Sequence, residues 1–437
     1  MKKILKKILY FFFRDNLYVI QCQLKYHINR IIIIKKARKY NKHKPFIIDH
    51  ITHKEKLRIL FFVYDLNMWR YEGLMKLLLL HPRFDPIMIP FVMPEKDTEA
   101  NKSNRDKIIA YCNTNNFPAR DGYDFDSGRY LDIKDINPDI VIYPQPYGRG
   151  YQEWNIDSYT EKCLFIYTPY GISTSKSRAL KDTYLTNIAW KIFVSCQLEK
   201  KVYDDNISTR STQVVVTGTS IPDDLQKADI QKSPWRNTNK KRIIWAPHHS
   251  IDSQRGFANS NFERICDEML ELAKRYQDDI EIAFKPHPAL RERLIVKWGR
   301  EKTEFYYGQW AVRPNTILCL GSYTELFAFS DAMIHDCASF AFEYLFTGKP
   351  VMFLCNNPKL YPPAGIGNDL GTACFRHHYA GYSVKDIETF VNDIVIGGDD
   401  SMKNQRVSFV KNQLLPPNNQ SASENMLNEL TALFKKQ

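Results

Sequence analysis

The chain has 437 residues, 44% hydrophobic and 13% aromatic, enough apolar material for two domains with separate cores and too much for a disordered protein. Nine scattered cysteines, odd in number and without a CxxC pair, argue for reduced thiols in a cytosolic setting and against a disulfide framework or a zinc site. The net charge of +12 lies wholly in residues 1–44, where ten Lys and three Arg face one acid, Asp15; the remaining 48 basic and 48 acidic residues cancel, so nucleic acid is not an expected partner.

Residues 1–45 form a basic extension. Ile4, Leu5, Ile8, Leu9, Phe12 and Phe13 recur at helical spacing, with Lys3, Lys6 and Lys7 largely on the other face. The longest uncharged apolar run, Ile8 to Phe13, is six residues, far below the roughly 20 that span a bilayer. Charges interrupt it and no small-residue cleavage site follows, so it does not read as a signal peptide. The pattern predicts an amphipathic helix on an anionic membrane surface, through residues 1–44, and a cytoplasmic protein peripheral on the inner face of the cell membrane. The alternative is an ordinary surface helix packed on the first domain.

After Lys44-Pro45 the pattern becomes α/β. Strands are predicted at 57–65, 86–92, 139–147, 163–171, 189–196 and from 214, giving a first domain over 55–225. Residues 226–241 are polar and turn-rich and read as a linker. A second series follows over 240–437, with strands at 242–250, 280–288, 315–321, 330–336 and 350–354 and helices near 261–275, 291–298, 339–347, 384–395 and 423–435. Strands alternating with helices in both halves imply an α/β fold of two facing Rossmann-like domains with a cleft between them.

Polar groups at the carboxyl ends of such strands face the ligand crevice. His287 sits between Pro286 and Pro288, held rigidly at a strand end, and Lys285 precedes it. Asp336, Cys337, Ala338 and Ser339 make a small polar turn that opens a helix, where free amides suit a phosphate; Glu343, one turn on, suits ribose hydroxyls. His248 and His249 follow the first strand of the second half and are candidate phosphate contacts or proton acceptors, of which alternation along an extended segment lets at most one point inward. In the first half, Asp65 is a candidate base or a helix cap, Tyr170-Gly171 faces the acceptor, and Gly218 and Thr219 lie at the hinge. Asp124-Phe125-Asp126 spells DxD but lacks a preceding apolar strand and is discounted, and the glycine-rich run 365–371 reads as a loop over the cleft. Together these features read as a nucleotide-diphosphate donor site, with no metal and no cofactor required.

With these residues in place, roughly 210–375 resembles the CDP-glycerol glycerophosphotransferase family of teichoic-acid and capsule synthesis. The resemblance rests on Trp245-Ala246-Pro247, on Lys285-Pro286-His287-Pro288, and on Asp336-Cys337-Ala338-Ser339 followed by Phe342-Glu343-Tyr344. It implies the GT-B architecture, a cytidine-nucleotide donor, a glycan or lipid-linked acceptor, and phosphate binding by His287 and Ser339. Tyr170 stands where the family has a histidine proposed as catalytic base, Gly218 to Pro222 lacks the family's arginine, and His248-His249-Ser250 replaces its Thr-Phe-Arg. The His-Pro element also resembles CMP-sugar-dependent capsule transferases for sialic acid or Kdo. A non-catalytic scaffold of capsule assembly is the remaining alternative, kept open by Tyr170.

Overall fold

In the computed structural model, the described residues are 28–93, 97–146, 156, 159–172, 174, 177–209, 212–237, 239–251, 260–355, 361 and 367–434. The first domain is a six-stranded parallel sheet built from β1 (Leu57–Val63), β2 (Phe84–Pro90), β3 (Ile140–Tyr143), β4 (Leu164–Tyr167), β5 (Lys191–Val194) and β6 (Val214–Val216), in the order β2-β1-β3-β4-β5-β6. The second is another six-stranded parallel sheet, from β7 (Lys241–Ala246), β8 (Ile280–Phe284), β9 (Thr316–Leu318), β10 (Ala332–His335), β11 (Val351–Leu354) and β12 (Tyr379–Gly381), in the order β9-β8-β7-β10-β11-β12. The second is the doubly wound Rossmann order, and its strand order reverses between β7 and β10.

The strands are apolar without alternation because helices cover both faces. Ile243 and Trp245 of β7 go to one cluster and Ile244 and Ala246 to the other; Ile282 and Phe284 of β8 oppose Ala283 in the same way. Pro86 and Pro90 are tolerated in β2 because it is an edge strand, where a missing amide costs no outer partner.

Four segments lie differently from the sequence reading. Residues 28–52 form one helix that runs through Pro45 and belongs to the first domain. Burial of Ala37, Tyr40, Ile47 and Ile51 outweighs the hydrogen bond that proline removes, and the Tyr40 hydroxyl donates to the Cys163 carbonyl at 2.8 Å. One face of residues 28–45 thus packs on the first domain, and residues 1–27, with the predicted apolar face, lie outside the described residues.

The predicted linker is anchored rather than free. Trp235 is buried and donates Nε1–H to the Leu326 carbonyl, while the buried carboxylate of Glu281 accepts the amides of Arg236 and Asn237. The chain also crosses back at its end. Helix Ala422–Thr431, which the sequence groups with the second half, buries Met426 and Leu430 in the first core, and Glu429 pairs with Lys191 at 2.6 Å. The DxD segment turns a short hairpin, in which Asp124 accepts the Asp126 amide.

The domains meet through an apolar seam. Cys196 and Ile221 of the first half share a cluster with Leu370 and Cys374 of the second. Gly218 has φ +92°, and a Cβ there would stand 2.5 Å from Pro416, so this position requires glycine on two counts. Of the glycine-rich run, 367–371 are described: Gly367 and Asn368 donate both amides to the Thr174 carbonyl across the cleft, and Asp369, Leu370 and Gly371 open the helix Asp369–Phe375 instead of continuing the expected loop.

Candidate active site

The crevice at the β7/β10 reversal is held by a buried carboxylate. Asp336 follows β10 and accepts the His248 amide at 2.5 Å through Oδ1 and the Asn261 amide at 2.5 Å through Oδ2. Burial lifts its pKa to about 6 against the lowering effect of these bonds. The loop after β8 docks alongside, with the His287 amide donating to the Pro247 carbonyl at 3.0 Å.

Three imidazoles converge as a result, His248 and His249 together where one was expected, because the strand ends at Ala246 and the alternation of an extended segment no longer applies. Ring centroids of His248 and His249 are 4.1 Å apart, of His249 and His287 4.2 Å, and of His248 and His287 5.1 Å. One ring nitrogen from each lies within 4.8 Å of the others, a spacing that could also hold a metal ion. The hydrogen bonds decide between the two uses. The Ser250 amide donates to His248 Nδ1 at 3.2 Å and the Ala289 amide to His287 Nδ1 at 3.1 Å. Each Nδ1 is thus an acceptor, which assigns the proton to Nε2. Two Nε2–H groups are donors suited to an anion; metal binding through Nε2 would require both rings to exchange tautomer and forfeit their amide partners. Arg293 adds a guanidinium beside them, donating to the His249 carbonyl at 3.3 Å.

Burial, then the neighbouring imidazoles and Arg293, depress these histidines: His248 to about 4 and His287 to about 3, with His249 also lowered. They are neutral donors near pH 7, and a bound anion would favour their protonation.

Several other predicted residues have other work. Lys285 is buried and donates to the Gly321 carbonyl at 2.8 Å, tying β8 to the loop after β9, while its charge also acts on His287. Ser339 makes no capping bond, and its helix is a single turn, Phe340–Glu343, continued as a tighter turn over Tyr344–Thr347. Cys337 is buried, its carbonyl lying 3.0 Å from His335 Nδ1, while Ala338 is half-buried. Of the two roles weighed for Asp65 the structure shows the cap: its Oδ1 accepts both the amide and the side-chain Nδ2–H of Asn67 at the Leu66–Met68 turn.

Glu343 joins the crevice segment to the interdomain cleft. There a cavity is lined by Tyr170, Gly218, Thr219 and Glu343. Glu343 is buried and accepts from the Tyr323 hydroxyl, which in turn accepts from Arg70 of the first domain. Burial raises the Glu343 pKa against Arg70 and Tyr323. Arg70 was not singled out from the sequence, because nothing in Trp69-Arg70-Tyr71 marks a residue that reaches across a cleft. Glu199 was missed as well. It lines the same cavity, and its only sequence signal is a carboxylate three places after Cys196, an ordinary helix-start pattern.

Two Rossmann-type sheets facing across this cleft, with anion donors at the switch point of the second, make the GT-B fold. The chain belongs to the CDP-Glycerol:Poly(glycerophosphate) glycerophosphotransferase family, whose model matches residues 170–429, more than half of the sequence. It is 23% identical over 199 residues to the minor teichoic acid biosynthesis protein GgaB of Bacillus subtilis, a match covering 43% of this chain and 21% of that protein, so it spans about a fifth of that relative. Among solved structures, a variant of the wall teichoic acid polymerase TagF superposes with a TM-score of 0.54 at 14% identity, covering 94% of this chain and 98% of that one. UDP-GlcNAc 2-epimerase from Neisseria meningitidis bound to UDP-GlcNAc gives 0.56 at 14% identity, covering 86% and 100%. At these identities the structural likeness speaks for the fold.

The pKa directions carry a pH dependence. A histidine depressed below its ordinary 6.5 binds fewer protons folded than unfolded, so its contribution is intact above that pH and is lost on acidification toward the folded value. Asp336, raised to about 6, acts in the opposite sense, as do the raised carboxyls of Glu199, Asp223, Asp224 and Glu343, while the depressed His335, His377 and His378 act with the three of the crevice. The midpoint of thermal unfolding should therefore fall between pH 7 and pH 5, and fall less in the His248→Gln, His287→Gln double variant. Equal falls in both proteins would contradict the assignment.

Proposed function

We propose that this protein moves glycerol phosphate, or a related polyol phosphate, from a CDP-activated donor to a hydroxyl of a glycan or lipid-linked acceptor during synthesis of a cell-surface polymer. Family membership supports the reaction class, and the names of GgaB and TagF connect the chain to teichoic acid. The observation that carries the reading is the pair of Nε2–H donors, His248 and His287, at the switch point of the matched domain. In the transfer, the acceptor oxygen attacks phosphorus, the phosphoanhydride bond breaks, and CMP leaves with its electron pair. The donors and Arg293 offset the charge that develops on the leaving phosphate. Closing the cleft keeps water from competing as acceptor.

The cytoplasmic, membrane-peripheral placement is part of the proposal. On helix 28–52 the side chains turned away from the domain include Ile28, Ile31 and Ile32, respectively 55%, 66% and 49% exposed, and then Lys35, Arg38, Lys39 and Lys42. Apolar groups followed by a basic stripe suit an anionic leaflet, each cation contributing about 1 kcal/mol.

Two measurements test this. In a thermal-shift screen of CDP-glycerol, CDP-ribitol, a CMP-sugar and a UDP-sugar, the CDP-polyols should stabilise the protein most. His287→Ala should lower CMP release from CDP-glycerol by roughly 100- to 1,000-fold without changing the fold. Preference for the CMP-sugar, or near-normal turnover by the variant, would reject the reading. For the membrane, the full chain should sediment with vesicles containing phosphatidylglycerol and not with phosphatidylcholine alone. Reversing Lys35, Arg38, Lys39 and Lys42 together to Glu should weaken that binding at least tenfold; unchanged binding would remove the helix from the contact.

A further inference from the structure

We propose that Glu199 is the base that takes the proton from the acceptor hydroxyl, a role that rests on the transferase reading above. Glu199 lies in the first turn of helix Gln197–Asn206, just after β5, and is 3% exposed. A carboxylate at that position ordinarily closes a helix start, and one oxygen does so here: Oε2 accepts the Ser195 amide at 2.8 Å and the Ser195 hydroxyl at 2.6 Å. The other oxygen, Oε1, is buried with no hydrogen-bond partner among the described residues. A buried acceptor is nearly always satisfied, so an orphan carboxylate oxygen at a cleft asks for a ligand.

The surroundings say what kind. Glu199 lines the interdomain cavity with Tyr170, Gly218, Arg70 and Glu343, between the acceptor turn of one domain and the donor segment of the other. The cavity holds about 40 Å³, room for a water or one hydroxyl arm and not for a whole substrate. An acceptor would thus reach Glu199 with a single hydroxyl. Burial raises the Glu199 pKa above the ordinary carboxylate value, opposed by the two Ser195 bonds and then by the buried ammonium of Lys181, so the group is a stronger proton acceptor than an exposed carboxylate. Asp65, at the end of β1, caps the Leu66–Met68 turn through Oδ1 and does not line this cavity. In the step, the acceptor O–H bond breaks, its proton goes to Glu199 Oε1, and the freed oxygen forms the new bond to phosphorus as the bond to CMP breaks.

Glu199→Gln is the decisive variant, because its amide oxygen keeps both Ser195 bonds while the side chain can no longer accept a proton. Turnover is followed as CMP release from CDP-glycerol with an alkyl-anchored glycerol phosphate oligomer as acceptor. The kcat should fall roughly 100-fold or more, with donor KM and thermal stabilisation by CDP-glycerol unchanged. Formate should restore part of the rate to Glu199→Ala by supplying the missing carboxylate. Wild-type turnover with a Glu199→Gln kcat within about threefold would overturn the base and leave the transferase reading standing. Neither stabilisation nor turnover of CDP-glycerol by the wild type would overturn both.

Discussion

The buried carboxylate of Asp336 sets the shape of the second domain's crevice. It sits where the strand order reverses, and its two oxygens accept amides from the two ends of the segment joining β7 to helix Phe262–Arg275, at His248 and Asn261. Without it the loop after β7 would lose the bond that fixes its exit, and His248 would have no reason to stand beside His287. The cost is desolvation, visible in a pKa lifted to about 6; the return is a fixed pair of donors. The imidazoles differ from a lysine cluster in being neutral when empty, so the crevice avoids burying unpaired charge until an anion arrives.

Coupling between the domains follows from a small number of contacts. Arg70 reaches Tyr323, Tyr323 reaches Glu343, and Glu343 lies seven residues beyond Asp336 on one continuous segment. Ligand at the crevice and closure of the cleft thereby act on the same stretch of backbone. The returning helix Ala422–Thr431 and the Gly218–Pro416 contact fasten both crossings of the chain between domains. Such crossings are where a closing motion would be absorbed.

Much of this was legible in the sequence, for a physical reason. Strands covered on both faces read as unbroken apolar runs ended by turn residues, so β1, β7, β8 and β10 stand out, and their carboxyl ends carry the polar groups. His248, His287 and Asp336 were placed at one crevice because each follows such a run. The three-residue edge strand β12 was not found, being too short to show a pattern. The helix through Pro45 was cut at the proline because local rules ignore the burial of Ile47 and Ile51. At strand ends the sequence leaves the partner open: Lys285 is tied to Gly321, and Asp65 takes the capping role weighed against that of a base. Glu199 and Arg70 acquire meaning only from neighbours far away in sequence, and spacing alone cannot supply those.

Nitrogen-15 NMR of the histidine side chains at neutral pH tests the central claim most directly, since it reads which ring nitrogen carries the proton. Protons on Nε2 of His248 and His287, with both signals moving when inorganic pyrophosphate is added, are the predicted result. Protons on Nδ1 instead, with the signals answering zinc and not pyrophosphate, would contradict an anion site and make the cluster a metal centre.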